Sequence, residues 1–344
     1  MTTLAARWRV GRLELKEPFT IATGTVTDSP HVIVEIERDG VIGQGEAAPI
    51  WFYGESAETV LAVLPTLTSL IDDPWDWDRV DRRVQQAFGG AHPSACCAVT
   101  TAVLDLCAKE VGLPAHQLMG LGTSCACTSY TIGISSPADT DRKVRAALDA
   151  GFQIIKIKLG GSDDRATMSA LRRAAPDAVV RVDANTGWDR ATALAMLPVL
   201  VDHGVELLEQ PLAAADVEGH RTIRDRSPIP VIADESMGPF SRLRDVASAF
   251  DGINLKLAKN GGPFRVIKLA HAARELGLSI LFGCMLESSL AIAAAAHLAA
   301  LVDWVDLDSP LEITNDPFVG LSYVDGRPTV GGPGLGVTAR PAAG

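Results

Sequence analysis

The sequence predicts an α/β protein, a (β/α)8 barrel of the TIM type with an N-terminal α+β capping domain. Three observations carry this. Eight short β-rich runs recur between Ser129 and Pro310 at a period of about 25 residues. Helical stretches separate them, with apolar residues at three- and four-residue steps, as in DRATMSALRRAAP (164–176) and GPFRVIKLAHAARELG (262–277). The first 120 residues follow a different, alternating pattern.

Within residues 1–120 the runs Trp8–Leu15, His31–Arg38 and Val41–Ala48 alternate in polarity around a turn at Arg38-Asp39-Gly40, as an antiparallel meander does. Helices are expected at about 57–70, 78–88 and 93–112. Loops at about 19–30 and 50–56, the second containing WFYGE, are expected to cover the barrel mouth. The barrel is expected over 121–310. Its strands are SYTIGI (129–134), QIIKIKL (153–159), VVRVDAN (179–185), VELLEQP (205–211), PVIADES (230–236), GINLKLAK (252–259), LSILFGC (278–284) and DWVDLDSP (303–310). Eight successive βα units imply right-handed crossovers and closure into a barrel. An open doubly wound sheet is the alternative, but no glycine-rich phosphate fingerprint follows the first strand. The turn-rich tail, 311–344, is expected to form a hairpin and return to the cap.

Composition agrees. Of 344 residues, 47% are hydrophobic and only 5% aromatic, so the core is built from Ala, Leu, Val and Ile, as on a buried parallel sheet. A net charge of −11 argues against nucleic acid or an anionic membrane surface as partner. The longest apolar run, Leu290–Val302, is too short to span a bilayer and reads as a buried helix. The N-terminus lacks the apolar segment of a signal peptide, and the six cysteines lack paired zinc-ligand spacing. Reduced thiols in a cytoplasmic protein are expected.

In such barrels chemistry sits at the C-terminal ends of the strands. Five successive strands end in Lys156/Lys158, Asp183, Glu209, Asp234 and Lys256, and the eighth carries Asp306 and Asp308. Any one of these acids alone reads as a cap on the following helix. Three on consecutive strands repel unless a hard divalent cation with oxygen ligands joins them. Side chains alternate along a strand, so Lys156 and Lys158 point the same way. Their repulsion and a nearby cation are expected to depress the pKa of Lys158, which suits a general base. Lys158 and Lys256 flank the acids from opposite sides. Base, cation and acid together suggest proton abstraction next to a carboxylate, with return of the proton on the opposite face. Lys259, three residues past Lys256, is expected to face away from the site.

KIK (156–158), VDAN, EQP, ADES and the NLK of the sixth strand resemble the enolase superfamily, within it the muconate lactonizing enzyme subgroup. Asp306-Leu307-Asp308 is similar to the D-x-D of dipeptide epimerases acting on L-Ala-D/L-Glu. The resemblance implies Lys158 and Lys256 as acid/base pair and Asp183, Glu209 and Asp234 as ligands of one Mg2+ per subunit, with Mn2+ as a substitute. It implies Thr131, Lys156, Cys284, Met285, Leu286, Asp306 and Asp308 as contacts of a small dipeptide substrate, the last two pairing its α-ammonium group. Asn185 and Glu235 would orient lysines or ligands, and a homo-oligomer is allowed. Members acting on Ala-Glu tend to carry an arginine in the first lid loop, whereas no basic residue lies between Phe19 and His31 here. A dipeptide without an acidic second residue is therefore expected. An N-acylamino acid racemase, an o-succinylbenzoate synthase or a cycloisomerase would use the same lysines and metal. A barrel that binds without catalysis is the remaining alternative.

Overall fold

The computed structural model describes residues 4–238 and 242–341. It opens with a three-stranded antiparallel sheet, β1 Ala5–Ile21, β2 Gly24–Arg38 and β3 Val41–Ala47. The alternating runs lie within these strands, and Asp39-Gly40 turns β2 into β3 with both residues at positive φ. β1 and β2 run further than expected. Past an irregularity between Glu14 and Phe19 their ladder resumes, pairing Phe19 with Val26 and Ile21 with Gly24. Much of the stretch expected as the first lid loop is thus a hairpin arm. Its β-branched and aromatic residues, Phe19, Thr20, Ile21, Thr25 and Val26, favour a pleated ladder over a loop.

Three helices, α1 Ala57–Ser69, α2 Trp77–Gln86 and α3 Pro93–Glu110, follow the sheet, and α4 Ala115–Leu118 ends the segment. Ser56 and Thr59 close a capping box at the start of α1. Helix α3 is buried from Ser94 to Ala108 because β3 presses directly onto it. A Cβ on Gly43 or Gly45 would lie 2.1 or 2.0 Å from the carbonyl oxygen of Ala102 or Ala98. Only glycine permits that approach.

The barrel strands are β4 Tyr130–Ile132, β5 Ile154–Lys158, β6 Val179–Asp183, β7 Val205–Glu209, β8 Val231–Ala233, β9 Gly252–Leu255, β10 Ser279–Phe282 and β11 Trp304–Val305. Each pairs in parallel with the next in sequence. A bridge between Thr128 and Val305 closes the ring. The intervening helices are α5 Pro137–Asp149, α6 Asp164–Ala174, α7 Arg190–Asp202, α8 Val217–Arg226, α9 Leu243–Ala247, α10 Leu257–Asn260, α11 Pro263–Glu275 and α12 Ser289–Ala296. Leu207, Ile232 and Leu281, with Trp304 against them, form an apolar cluster. Leu207 and Ile232 stand two residues before Glu209 and Asp234, so this cluster is the barrel floor beneath the charged rim.

Cap and barrel share a seam. Trp77 of α2 stacks on Phe264 of α11 at 5.0 Å, and Lys268 of α11 pairs with Asp78 and Asp81 of α2. Gln85 and Thr100 of the cap both donate to the carbonyl of Gly261, at 2.7 and 3.3 Å. The tail forms a hairpin of Ser322–Val324 with Arg327–Thr329, and further on Leu335 N donates to Asp105 of α3. Among the described residues no helix is long and apolar enough to cross a membrane.

Candidate active site

The C-terminal ends of β5 to β9 bring Lys158, Asp183, Glu209, Asp234 and Lys256 into one buried group, in that order around the rim. Register fixes the first three: Lys158 pairs with Asp183, and Asp183 with Glu209. Among the described residues, none of these three acids caps a helix. That work falls to residues further on, such as Asp189 and Asp216, which accept from Thr192 N and Gly219 N. The rim acids are left to one another. One oxygen from each of Asp183, Glu209 and Asp234 lies within 4.8 Å of the others.

The lysines compensate them. Lys158 Nζ donates to Asp183 Oδ2 at 2.6 Å and Lys256 Nζ to Asp234 Oδ2 at 2.8 Å. Lys156 is 2.6, 2.8 and 3.2 Å from oxygens of Asp306, Glu209 and Asp183. Its charge is thereby spent on three carboxylates, whose attraction outweighs burial and holds its pKa well above the ordinary lysine value. The repulsion between Lys156 and Lys158 expected from the sequence is quenched in this way. Burial raises the Asp183 carboxyl, but Lys158 and Lys156 more than offset it and hold it below its ordinary value. Asp234 is likewise held low against burial, by Lys256 and Lys259. Glu209 goes the other way, pushed up to about 7 by burial and by Asp183.

Lys259 corrects a sequence expectation. It is buried in the site, donating to Asp234 Oδ1 at 2.6 Å, Asp234 O at 2.8 Å and Asn254 O at 2.9 Å. Strand alternation would turn it away, but Leu257–Asn260 is one helical turn, and a three-residue step in a helix returns to the same face. Two other groups of the site lie outside the sequence expectations. Asn254 donates to Glu209 Oε1 at 2.7 Å while accepting from Gly283 N at 2.9 Å. Its signal was present: a polar residue two before Lys256 in an apolar strand points to the same side. Gln210, at φ 36°, accepts from Asp234 N and Ser236 N and donates to Ser236 Oγ, tying β7 to the end of β8.

Asn185 N donates to Asp183 Oδ1 at 2.9 Å, and its side-chain amide donates to Glu235 at 3.2 Å. Burial and Asp234 push Glu235 up to about 8. On the eighth strand Asp306 accepts from Ser129, Thr131 and Lys156, and Asp308 accepts from Thr131 N at 2.5 Å. Burial and Asp306 push Asp308 up to about 7. Six buried or nearly buried carboxyls thus face four lysines, Lys156, Lys158, Lys256 and Lys259. With all six ionised the group carries two more negative than positive charges, and this excess, with three oxygen donors converging, fits one hard divalent cation held by Asp183, Glu209 and Asp234.

Above the rim a cavity of about 690 Å3 opens between barrel and cap. The rim contributes Thr131, the lysines 156, 158 and 256, Cys284, Met285, Leu286, Asp306 and Asp308. The cap contributes Phe19, Ile21, Val26, Ile50, Trp51 and Phe52. Trp51–Tyr53 form one 3-10 turn ended by Gly54 at φ 79°, with Trp51 65% exposed. Met285 packs with Ala48, Ile50 and Ala258, joining cap to rim.

A barrel whose rim converges three acids between lysines, under an α+β cap, defines a class of proton-transferring enzyme, and the family follows from comparison. Residues 5–120 match the Mandelate racemase / muconate lactonizing enzyme, N-terminal domain, and residues 139–343 the Enolase C-terminal domain-like family. The chain belongs to the enolase superfamily. It is 37% identical over 332 residues to an L-Ala-D/L-Glu epimerase of Bacteroides thetaiotaomicron, covering 94% of this chain and 85% of that protein. Among solved structures it superposes with a TM-score of 0.93 and 29% identity on an N-succinyl Arg/Lys racemase of Bacillus cereus, covering 98% of this chain and 95% of that one. The same TM-score and identity relate it to a dipeptide epimerase of Cytophaga hutchinsonii in complex with Mg and the dipeptide D-Ala-L-Val, covering 99% of this chain and 96% of the other.

Proposed function

We propose that this protein is a Mg2+-dependent dipeptide epimerase that inverts the carbon next to the dipeptide's carboxylate and does not require an acidic second residue. The observation that carries the reading is the rim order Lys158, Asp183, Glu209, Asp234, Lys256, faced by Asp306 and Asp308 across the same cavity. The epimerase relatives support it. Bound by the three carboxylates, Mg2+ would supply the positive charge that offsets the dianion formed when the substrate carboxylate's neighbouring carbon loses a proton.

The rest is work for side chains. Lys158 takes the proton from one face and Lys256 returns one from the other, and their roles exchange in the reverse direction. Lys156, locked among three carboxylates, contacts and orients charge instead of transferring protons. Asp306 and Asp308 pair the substrate's α-ammonium group, held in place by Thr131 and Ser129. Phe19, Ile21, Val26, Ile50, Trp51 and Phe52 give the cavity an apolar wall opposite the charged rim, which strengthens each of these electrostatic contacts. The rim lysines are the cations lining the cavity among the described residues, so no further charge awaits an acidic substrate side chain.

A library of dipeptides in deuterated water, read by mass, tests the activity: good substrates gain one deuterium as they epimerise, and a library without incorporation refutes it. The superposition on an N-succinyl amino acid racemase favours N-acylamino acids as the second reading. Such substrates have no free α-ammonium to pair. Asp308→Asn should lower turnover of dipeptides roughly 100-fold and leave N-acyl substrates within a few-fold if the dipeptide reading holds.

A further inference from the structure

Lys256 and Lys259 both bond Asp234, yet their attachments differ. Lys256 Nζ holds Asp234 Oδ2 by one hydrogen bond at 2.8 Å. Lys259 Nζ spends all three of its protons, on Asp234 Oδ1, Asp234 O and Asn254 O, and is 7% exposed. Asp234 N is taken as well, donating to Gln210 Oε1 at 2.9 Å. The aspartate is therefore fixed at its backbone on both sides and at one carboxylate oxygen.

We infer that Lys259 is a positioning residue that makes Asp234 a one-oxygen ligand and so selects a small octahedral cation over a larger one. The inference rests on the metal-binding part of the proposed function. Moving Oδ1 onto a bound cation would leave a buried ammonium short of an acceptor, which is costly. Oδ2 carries no such restraint, because Lys256 can release it without breaking any other bond recorded for its ammonium group. Mg2+ requires near-ideal octahedral geometry and suits one oxygen per carboxylate. Ca2+ takes more ligands and readily accepts both oxygens of a carboxylate. Occupying Oδ1 removes the option that favours Ca2+. The strut extends to a second ligand. Asn254, whose carbonyl accepts from Lys259, holds Glu209 Oε1 through its side chain at 2.7 Å. One buried lysine thus stiffens two of the three carboxylates.

The test is calorimetric titration of the full chain with MgCl2 and with CaCl2, without dipeptide, for the wild type, Lys259→Met and Asp183→Asn. The expected result is a wild-type preference for Mg2+ that falls at least tenfold in the Mg2+-to-Ca2+ affinity ratio in Lys259→Met. A ratio changed less than threefold, with a lowered melting temperature, would show Lys259 to be only a structural ion pair and overturn the inference. Binding that Asp183→Asn leaves intact would remove the proposed metal site and this assignment with it. If Lys259→Met does not fold, a crystal structure of the wild type with Mg2+ decides. An ion on Oδ2 alone, with Oδ1 still bonded to Lys259, supports the inference, and an ion on both oxygens overturns it.

Discussion

The rim and the cap face the same cavity and are built on opposite rules. On the rim the charged groups have partners on several sides: Asp234 alone engages Gln210, Lys256 and Lys259. On the cap the lining is largely apolar and partly open, with Trp51 and Phe52 at 65 and 43% exposure. A group held by several hydrogen bonds cannot adapt, which is what proton transfer and ion binding demand. An exposed aromatic turn can yield to different side chains at little cost. On the proposed function, this difference gives chemistry to the barrel and substrate breadth to the cap.

The largest effect that could break this division is at the lysines. Lys158→Ala and Lys256→Ala should each reduce epimerisation by about 10³-fold. Each should still exchange the α-hydrogen of one epimer only, followed by mass in deuterated water; equal residual exchange of both epimers would contradict the two-face assignment.

Glu287 sits where the two regions meet, beside Ser288, which donates to Glu46 of the cap. Its Oε2 accepts from Met285 N, its Oε1 is buried without a hydrogen-bond partner, and burial pushes its carboxyl up to about 7. The unfolded chain releases this proton near the ordinary glutamate value while the folded chain still holds it. Stability therefore falls as pH rises from about 4.5 to about 7 and stays reduced above that. Glu287→Gln should raise unfolding free energy at pH 8 by up to ~3 kcal/mol and by little near pH 4.5, measured by denaturant titration at both. A gain independent of pH would place the cause elsewhere.

Gly283→Ala sharpens the rim's side of the comparison. A Cβ there would lie 2.7 Å from Asn254 Oδ1, displacing the amide that holds Glu209. Mg2+ affinity by calorimetry should fall roughly 10- to 100-fold, with the fold kept by circular dichroism. The smallest effect belongs to the cap. Trp51→Ala should leave stability within about 0.5 kcal/mol and shift KM a few-fold for apolar dipeptides, with kcat unchanged. A fall in kcat would mean that the turn takes part in chemistry.

These two regions also differ in how far the sequence discloses them. Strand ends are readable because an acid or lysine closing an apolar run has few places to go, so Lys158, Asp183, Glu209, Asp234 and Lys256 could be placed from period alone. Lys259 was misjudged because one helical turn replaced the expected strand, and side-chain direction depends on that local choice. Asn254 is signalled by its place two residues before Lys256, but its bond to Glu209, like those of Gln210 to the end of β8, joins strands about 25 residues apart or more, and no local pattern displays such partners. The hairpin of β1 and β2 reads as a loop in the sequence because Gly24 at its tip and Pro30 within β2 both interrupt the strand pattern.

The Gly261-Gly262 turn carries a consequence for inheritance. Gly261 and Gly262 adopt φ 83° and 97°, and a Cβ on Gly262 would lie 2.1 Å from Thr100 Oγ1. The same turn ends the helical step that bears Lys259 and follows Lys256, and Gln85 grips its carbonyl. A barrel grafted beneath a foreign cap would meet a different α2 and α3 at that point. Lys256 and Lys259 would inherit the misfit, so the two halves must be exchanged together or rebuilt as a matched pair.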